Sequence, residues 1–274
     1  MKKHSALTGK KIGFIGVGNM GCALVNGLLR TKKVAGRNLI LSDVAGEKLA
    51  SFARLGAVVT LENKTVARDA DILILAVKPQ QMTSVFAEIV KELNKKTLII
   101  SIAAGVTTAT IEKGLGRVAV VRSMPNMPAL IGSGITAVAK GSRATDADIR
   151  TAREIFGAAG EVIIVEEKMM DAVTALSGSG PAYLCYFYEC MIDAGLNLGF
   201  TMEKARELSH ATILGTVRFL DQMKEVPEHL RRKVTSPGGT TEAAVTFLQE
   251  NGFMNTFVSA VMKAKERAEE LSRK

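Results

Sequence analysis

Lys11-Ile12-Gly13-Phe14-Ile15-Gly16-Val17-Gly18-Asn19-Met20-Gly21 is the stretch on which the fold turns. Its first five residues read as a buried strand, the next six spell GxGxxG, and Asn19 to Leu29 reads as a helix. Glycines in that strand-to-helix turn form a dinucleotide fingerprint. The first makes the tight turn, the second lets a pyrophosphate approach the backbone, and the third allows the helix to pack close to the strand.

Working outward, short apolar β-type runs alternate with helical ones. Leu39 to Ser42, Ala57 to Thr60, Asp71 to Val77, Leu98 to Ile102, Ala119 to Arg122 and Ile135 to Ala139 read as further strands. Strands buried on both faces and separated by helices imply an α/β, Rossmann-type, doubly wound parallel sheet. After Ile163-Ile164-Val165 the β signal fades and the rest reads as helices. The chain is therefore expected to divide into a dinucleotide-binding domain, residues 1–165, and an all-α domain for dimerisation and substrate binding, residues 166–274. Leu184, Phe187, Met191, Ala194 and Leu198 form an apolar stripe at helical spacing, as do Phe257, Val261, Ala264, Ala268 and Leu271. A helical domain this apolar buries more against a second copy of itself, which predicts an obligate homodimer at least.

Composition narrows the function. With 274 residues and 47% hydrophobic content the chain is globular. No run approaches the ~18 consecutive apolar residues of a membrane span, and Met1 to Leu7 lacks a secretory apolar stretch, so the expectation is a cytoplasmic protein without membrane partners. Cys22, Cys185 and Cys190 show no CxxC spacing, and His4, His210 and His229 have no metal-ligand spacing, so no metal is expected. The net charge of +9 is spread among acids, as in Glu203 to Glu207, and there is no Trp to stack on bases. That disfavours nucleic acid and fits an anionic cofactor or substrate.

Six further features carry candidate chemistry. Asp43, at the end of the second strand, either holds the adenosine ribose or caps the next helix. Ala76-Val77-Lys78-Pro79-Gln80 and Ser101-Ile102-Ala103-Ala104-Gly105 close two strands at the ligand-binding edge, as does Arg122 to Pro128; Pro79 keeps Lys78 extended. Ser177 to Tyr183 is a glycine and serine turn feeding a helix. Val234-Thr235-Ser236-Pro237-Gly238-Gly239-Thr240-Thr241 runs into an apolar helix and reads as a trap for a small carboxylate or phosphate, or as a polar loop before a well-capped helix.

Taken together, GFIGVGNMG (Gly13 to Gly21), LAVKPQ (Leu75 to Gln80), RSMPNMP (Arg122 to Pro128), ALSGSGPAY (Ala175 to Tyr183) and VTSPGGTT (Val234 to Thr241) resemble pyrroline-5-carboxylate reductase over nearly the whole chain. The resemblance implies NADPH- or NADH-dependent reduction of the imine 1-pyrroline-5-carboxylate to L-proline by a dimer that often assembles into decamers. It places cofactor contacts on Ile15, Gly16, Val17, Gly18, Asn19 and Met20, on Ser42, Asp43 and Val44, on Asn63, on Ala76, Val77, Lys78 and Pro79, and on Ile102, Ala103 and Ala104. It places substrate contacts on Glu167, Lys233, Gly238, Gly239, Thr240 and Thr241, with Thr241 catalytic. Glu167 also reads as a solvated acid beside Glu166. Asp43 and Lys233 depart from the family pattern, where a neutral or basic residue and an Asn are common. The backbone amides of Gly239 to Thr241 are expected to hold the substrate carboxylate, and the Thr241 hydroxyl the ring nitrogen. The rivals are a β-hydroxyacid dehydrogenase using Lys168 or Lys204, a dinucleotide-binding sensor, and a basic RNA-binding protein.

Overall fold

The computed structural model describes residues 5–273. Met1 to His4, on which part of the no-leader expectation rests, lie outside the described residues. Eight strands form one sheet: β1 Ile12–Ile15, β2 Leu39–Ser42, β3 Val58–Thr60, β4 Ile72–Leu75, β5 Leu98–Ser101, β6 Ala119–Met124, β7 Gly134–Lys140 and β8 Gly160–Ile164. Their order is β3-β2-β1-β4-β5-β6-β7-β8. β1, β2, β4 and β5 are buried at every position, which is why they read as unbroken apolar runs.

Helices cover both faces. α1 (Asn19–Arg30) is followed by α2 (Ala50–Arg54), α3 (Asn63–Asp69), α4 (Met82–Ile89), α5 (Thr108–Leu115) and α6 (Asp146–Phe156). Leu24 and Leu28 of α1 join Ile149, Ile155 and Phe156 of α6 on one side, against Ile12 and Phe14. Val66, Phe86, Ile89 and Ile111 pack from α3, α4 and α5 on the other, against Ile15, Leu73 and Ile99. Chain order reverses between β1 and β4, and such a reversal opens a crevice beyond the carboxyl ends of the strands.

One pairing departs from the all-parallel expectation: β7 runs antiparallel to β6. A parallel return needs a crossover of about a dozen residues or more, whereas residues 125–133 hold only the short 3-10 turn Met127–Ile131. β8 then pairs parallel with β7. The outer strands are less covered, with Val58, Ile163 and Ile164 exposed.

After α7 (Met170–Val173) and one wide π-type turn, Thr174–Gly178, the chain is helical: α8 Gly180–Asn197, α9 Met202–Met223, α10 Pro227–Lys233, α11 Thr240–Glu250 and α12 Phe253–Ser272. The chain forms two compact units. The first holds Met1–Ser179 together with Ala264–Lys274, and the second holds Gly180–Lys263.

Between Gly180 and Lys263 only Ala205 and Ser209 are buried. α8 and α9 touch through small residues, a Cβ on Gly195 falling 2.8 Å from Ala205 Cβ. Tyr183 meets Phe257 edge to face at 5.9 Å between ring centres. Leu184, Phe187 and Leu198, the stripe marked in the sequence, face outward with Val217, Phe247 and Met254. Apolar surface on this scale marks an interaction face, and symmetric self-association is the commonest way to cover it. We expect the protein to sediment as an oligomer at micromolar concentration, and Phe187→Asp combined with Val217→Asp to break that assembly. Multi-angle light scattering checks both; a stable wild-type monomer contradicts the reading.

Candidate active site

The turn after β1 distributes three glycines as the fingerprint requires. Gly16 has φ +92°, and a Cβ there would lie 2.8 Å from the Ala76 carbonyl oxygen. At Gly21 a Cβ would lie 2.6 Å from the Gly16 carbonyl oxygen, so α1 sits directly on the turn. At Gly18 it would meet nothing within 4 Å. The first and third glycines are thus demanded by the protein's own packing. The second leaves space in front of the amides that open α1, which has no side-chain cap. First-turn amides lack intrahelical partners and carry the positive end of the helix dipole, so this cradle fits a pyrophosphate. Cys22 donates its thiol hydrogen to the Val17 carbonyl at 3.3 Å. Burial first, and then the charge of Asp43, push that thiol up, which keeps the donor protonated.

Asp43 does more than either reading of the sequence offered. Its Oδ2 accepts the Val17 amide hydrogen at 2.7 Å and its Oδ1 that of Ala45 at 2.9 Å, with Lys48 Nζ at 3.9 Å. The carboxylate therefore ties the fingerprint turn to the end of β2. Ser42 is buried; its hydroxyl donates to Asn63 Oδ1 at 2.8 Å, and Asn63 Nδ2 donates to Glu88 at 2.8 Å. Both groups brace the strand end. Val44 is 90% exposed beside them and carries no donor for a phosphate.

At β4, Ala76 donates to the Ile15 carbonyl at 2.8 Å, and Lys78 is extended before Pro79 as expected. At β5, Ile102 donates to the Leu75 carbonyl at 3.2 Å and Ala103 to Ser101 Oγ at 3.2 Å. The fingerprint turn and the ends of β2, β4 and β5 thus line one edge of the sheet, which brings the expected cofactor residues together.

The end of β6 holds a charge cluster that motif reading missed. Arg122, 2% exposed, places Nη2 at 3.1 Å from Asp171 Oδ1 and Nη1 at 3.7 Å from Glu167 Oε1. Its buried Nε has no hydrogen-bond partner. Glu167 is no solvated acid: it accepts the Thr108 amide hydrogen at 2.6 Å and the Thr108 hydroxyl. Glu167 and Asp171 stand four apart, the spacing that puts two side chains on one helical face, so a signal was present. What the sequence lacked was the partner across the sheet. Asn126, in the same motif as Arg122, accepts from Ile135 at 2.9 Å and reaches Ser177 at 3.4 Å, joining RSMPNMP to the serine turn.

In the second unit, Gly239 caps α11 without a side-chain bond, and Gly238 has φ +70°. A groove of about 390 Å³ is lined by Gly238, Gly239, Glu242, Ala243, Thr246 and Phe247. The tight turn consumes part of the expected anion trap. Gly239 donates its amide hydrogen to the Ser236 carbonyl at 2.9 Å, and Gly238 to Glu242 at 2.7 Å. The amides of Thr240 and Thr241 lie in the first turn of α11, where amides have no intrahelical acceptor. Lys233 is turned to Glu225, which also takes His229 at 2.8 Å. Hydrogen bonds from Lys233 first, then His229, hold the Glu225 carboxyl below its ordinary range, so this pair persists at neutral pH. Of the two lysines that could serve a β-hydroxyacid dehydrogenase, Lys168 is exposed and paired with Glu166, and Lys204 is exposed on α9. Larger grooves, about 620 and 690 Å³, open beside β7 and β8; they lack a glycine cradle at a helix start.

Residues 167–271 match the family described as pyrroline-5-carboxylate reductase dimerisation, and residues 11–105 the family described as NADP oxidoreductase, coenzyme F420-dependent. A pyrroline-5-carboxylate reductase of Methanosarcina acetivorans is 41% identical over 97% of this chain and 99% of its own. The chain belongs to the pyrroline-5-carboxylate reductase family. Among solved structures of such reductases, that from Coxiella burnetii superposes with TM-score 0.90 at 37% identity, covering 96% of this chain and 98% of the other. That from Plasmodium falciparum, solved with NADP bound, gives 0.86 at 31%, with the same coverage.

For this reductase the glycines predict two different outcomes. Gly16→Ala forces an alanine into positive φ against a carbonyl and should lower stability by roughly 1–3 kcal/mol, read as a fall in Tm. Gly18→Val should leave Tm near the parent value yet weaken coenzyme binding at least about tenfold by filling the cradle. Equal effects of the two on Tm contradict this division.

Proposed function

We infer that the protein reduces 1-pyrroline-5-carboxylate to L-proline with NADPH or NADH, the last step of proline biosynthesis, and that its residues divide the work as follows. One observation carries the reading: a single chain holds two uncapped helix starts behind glycine turns, one at Gly18 with open space and one at Gly239 beside Thr241. The first suits a dinucleotide and the second a small carboxylate.

Ile15 to Met20 cradle the pyrophosphate; Asp43, Val44 and Asn63 border the adenosine ribose; Ala76 to Pro79 and Ile102 to Ala104 flank the nicotinamide half. When bound, the reduced nicotinamide supplies a hydride. The amides of Thr240 and Thr241 hold the substrate carboxylate, and the Thr241 hydroxyl bonds the ring nitrogen and fixes its orientation. An imine that arrives protonated is already electrophilic and asks no side-chain acid of the chain. That is consistent with His229 being engaged by Glu225. The family match to a dimerisation segment beginning at residue 167 supports a functional division near 165/166 and a homodimer. Assembly of dimers into a decamer, and work in the cytoplasm where coenzyme is reduced, complete the proposal. Among the described residues no helix is long and apolar enough to cross a membrane.

Steady coenzyme oxidation on adding the imine tests the reaction; coenzyme binding without turnover would favour a sensor instead. Thr241→Ala should lower kcat/KM by roughly 10- to 1000-fold, the effect of removing one positioned donor. Unchanged imine reduction in that variant removes Thr241 from the chemistry.

Asp43 sets a preference for NADH in this proposal, because a fixed carboxylate beside an apolar Val44 repels a 2′-phosphate and offers it no donor. Lys48, 3.9 Å from Asp43, is partly neutralised by it. Asp43→Ser should shift the ratio of kcat/KM values towards NADPH. A ratio that stays fixed assigns the choice of coenzyme elsewhere.

A further inference from the structure

Residues 102–107 connect β5 to α5 and carry Ile102, Ala103 and Ala104. The near end of this loop is fixed by the sheet through Ile102 and the Leu75 carbonyl. The far end is held by side chains distant in sequence. Thr108 is buried at the first position of α5, and both its amide and its hydroxyl donate to Glu167. Arg122 stands behind that carboxylate at 3.7 Å and reaches Asp171 with its other terminal nitrogen. Asp171 in turn accepts the Ser272 hydroxyl at 2.8 Å. Leu271, beside Ser272, lies 3.3 Å from where a Cβ on Gly105 would stand, in the middle of the loop.

We propose that Arg122 and Glu167 are positioning residues that hold the β5–α5 loop against the nicotinamide half of the coenzyme. Glu167 then serves the reaction through Thr108 and not by touching substrate. The physical case rests on the geometry. A carboxylate at the start of α5 is favoured by the helix dipole, but a glutamate on a solvent-facing turn rotates freely. The buried guanidinium, shared between Glu167 and Asp171, restricts it to one orientation. Doubly wound sheets bind a dinucleotide with one half over the strands on each side of the switch point, which puts the nicotinamide over β4 to β6. Loop 102–107 lies on that side. The inference rests on the reading of the chain as a pyridine-nucleotide reductase.

The test compares whole coenzymes with fragments that lack nicotinamide, using the full-length protein in its native assembly. Calorimetry measures Kd for NADH, NADPH, ADP-ribose and 2′-phospho-ADP-ribose in the parent, Glu167→Gln, Arg122→Lys and Thr108→Val. The expected result is a loss of about tenfold for NADH and NADPH, the effect of weakening a charge-assisted hydrogen bond, with the two fragments within about twofold of the parent. Thr108→Ser, which keeps the hydroxyl, should restore parent affinities. A purely structural role would weaken all four ligands together, and that result overturns the proposal. So does unchanged coenzyme affinity in Glu167→Gln and Thr108→Val. If Arg122→Lys fails to fold, the two milder variants decide alone. A parent that shows the split in its variants but does not reduce the imine keeps the clamp and loses the assigned reaction. A parent that binds neither coenzyme ends both.

Discussion

Gly16 donates its amide hydrogen to the Ser42 carbonyl at 2.8 Å, and Val17 donates to Asp43 at 2.7 Å. These two bonds join the turn after β1 to the end of β2, and the dinucleotide half depends on them. They require a positive φ at residue 16, so that residue is glycine. They also aim the start of α1 outward with its amides unpaired, which turns a strand exit into an anion cradle. Gly18 differs, since among the described residues no atom lies within 4 Å of where its Cβ would stand.

Burial is uneven along the chain, and the unevenness carries function. The sheet and its helices bury full apolar clusters on both faces. Residues 180–263 bury almost nothing, although they are rich in Leu, Phe, Val and Met. At ~25 cal/mol per Å² of apolar surface removed from water, that exposed area represents a large unrealised stabilisation. The match of residues 167–271 to a dimerisation family is the evolutionary counterpart of that physical imbalance.

Charge is used sparingly inside the first unit. Arg122 lies within the core beside two carboxylates, one of which reaches a helix start while the other meets the last turn of α12. Removing one member of such a buried pair typically costs about 3–5 kcal/mol, because the remaining charge is left without compensation. An arrangement that demanding fixes geometry at the carboxyl end of the sheet.

The strand and helix runs, the fingerprint turn and the SPGGTT turn were legible because each is a local pattern: apolar period, glycine spacing, proline placement. β2 was read with the bounds Leu39–Ser42 that the fold shows. What the local pattern could not carry was which groups pair once the chain is folded. The reversal of β7 depends on a linker too short for a crossover, and the ion pair of Lys233 with Glu225 forms only once α10 brings the two together. Gly239 looked like a free donor until the turn closed on Ser236. Glu167 reads as a solvated acid in the sequence, and only the fold sets Thr108 at the start of α5 and Arg122 of β6 beside it. The sequence by itself determined the class of fold, the two glycine turns before helices and the family, since those follow from backbone preferences of neighbouring residues. Only the folded structure decided which polar groups are already engaged, because a hydrogen-bonding group is spent on whatever partner folding brings to it, whether near in sequence, as Ser236 is to Gly239, or far from it, as Glu167 is from Thr108.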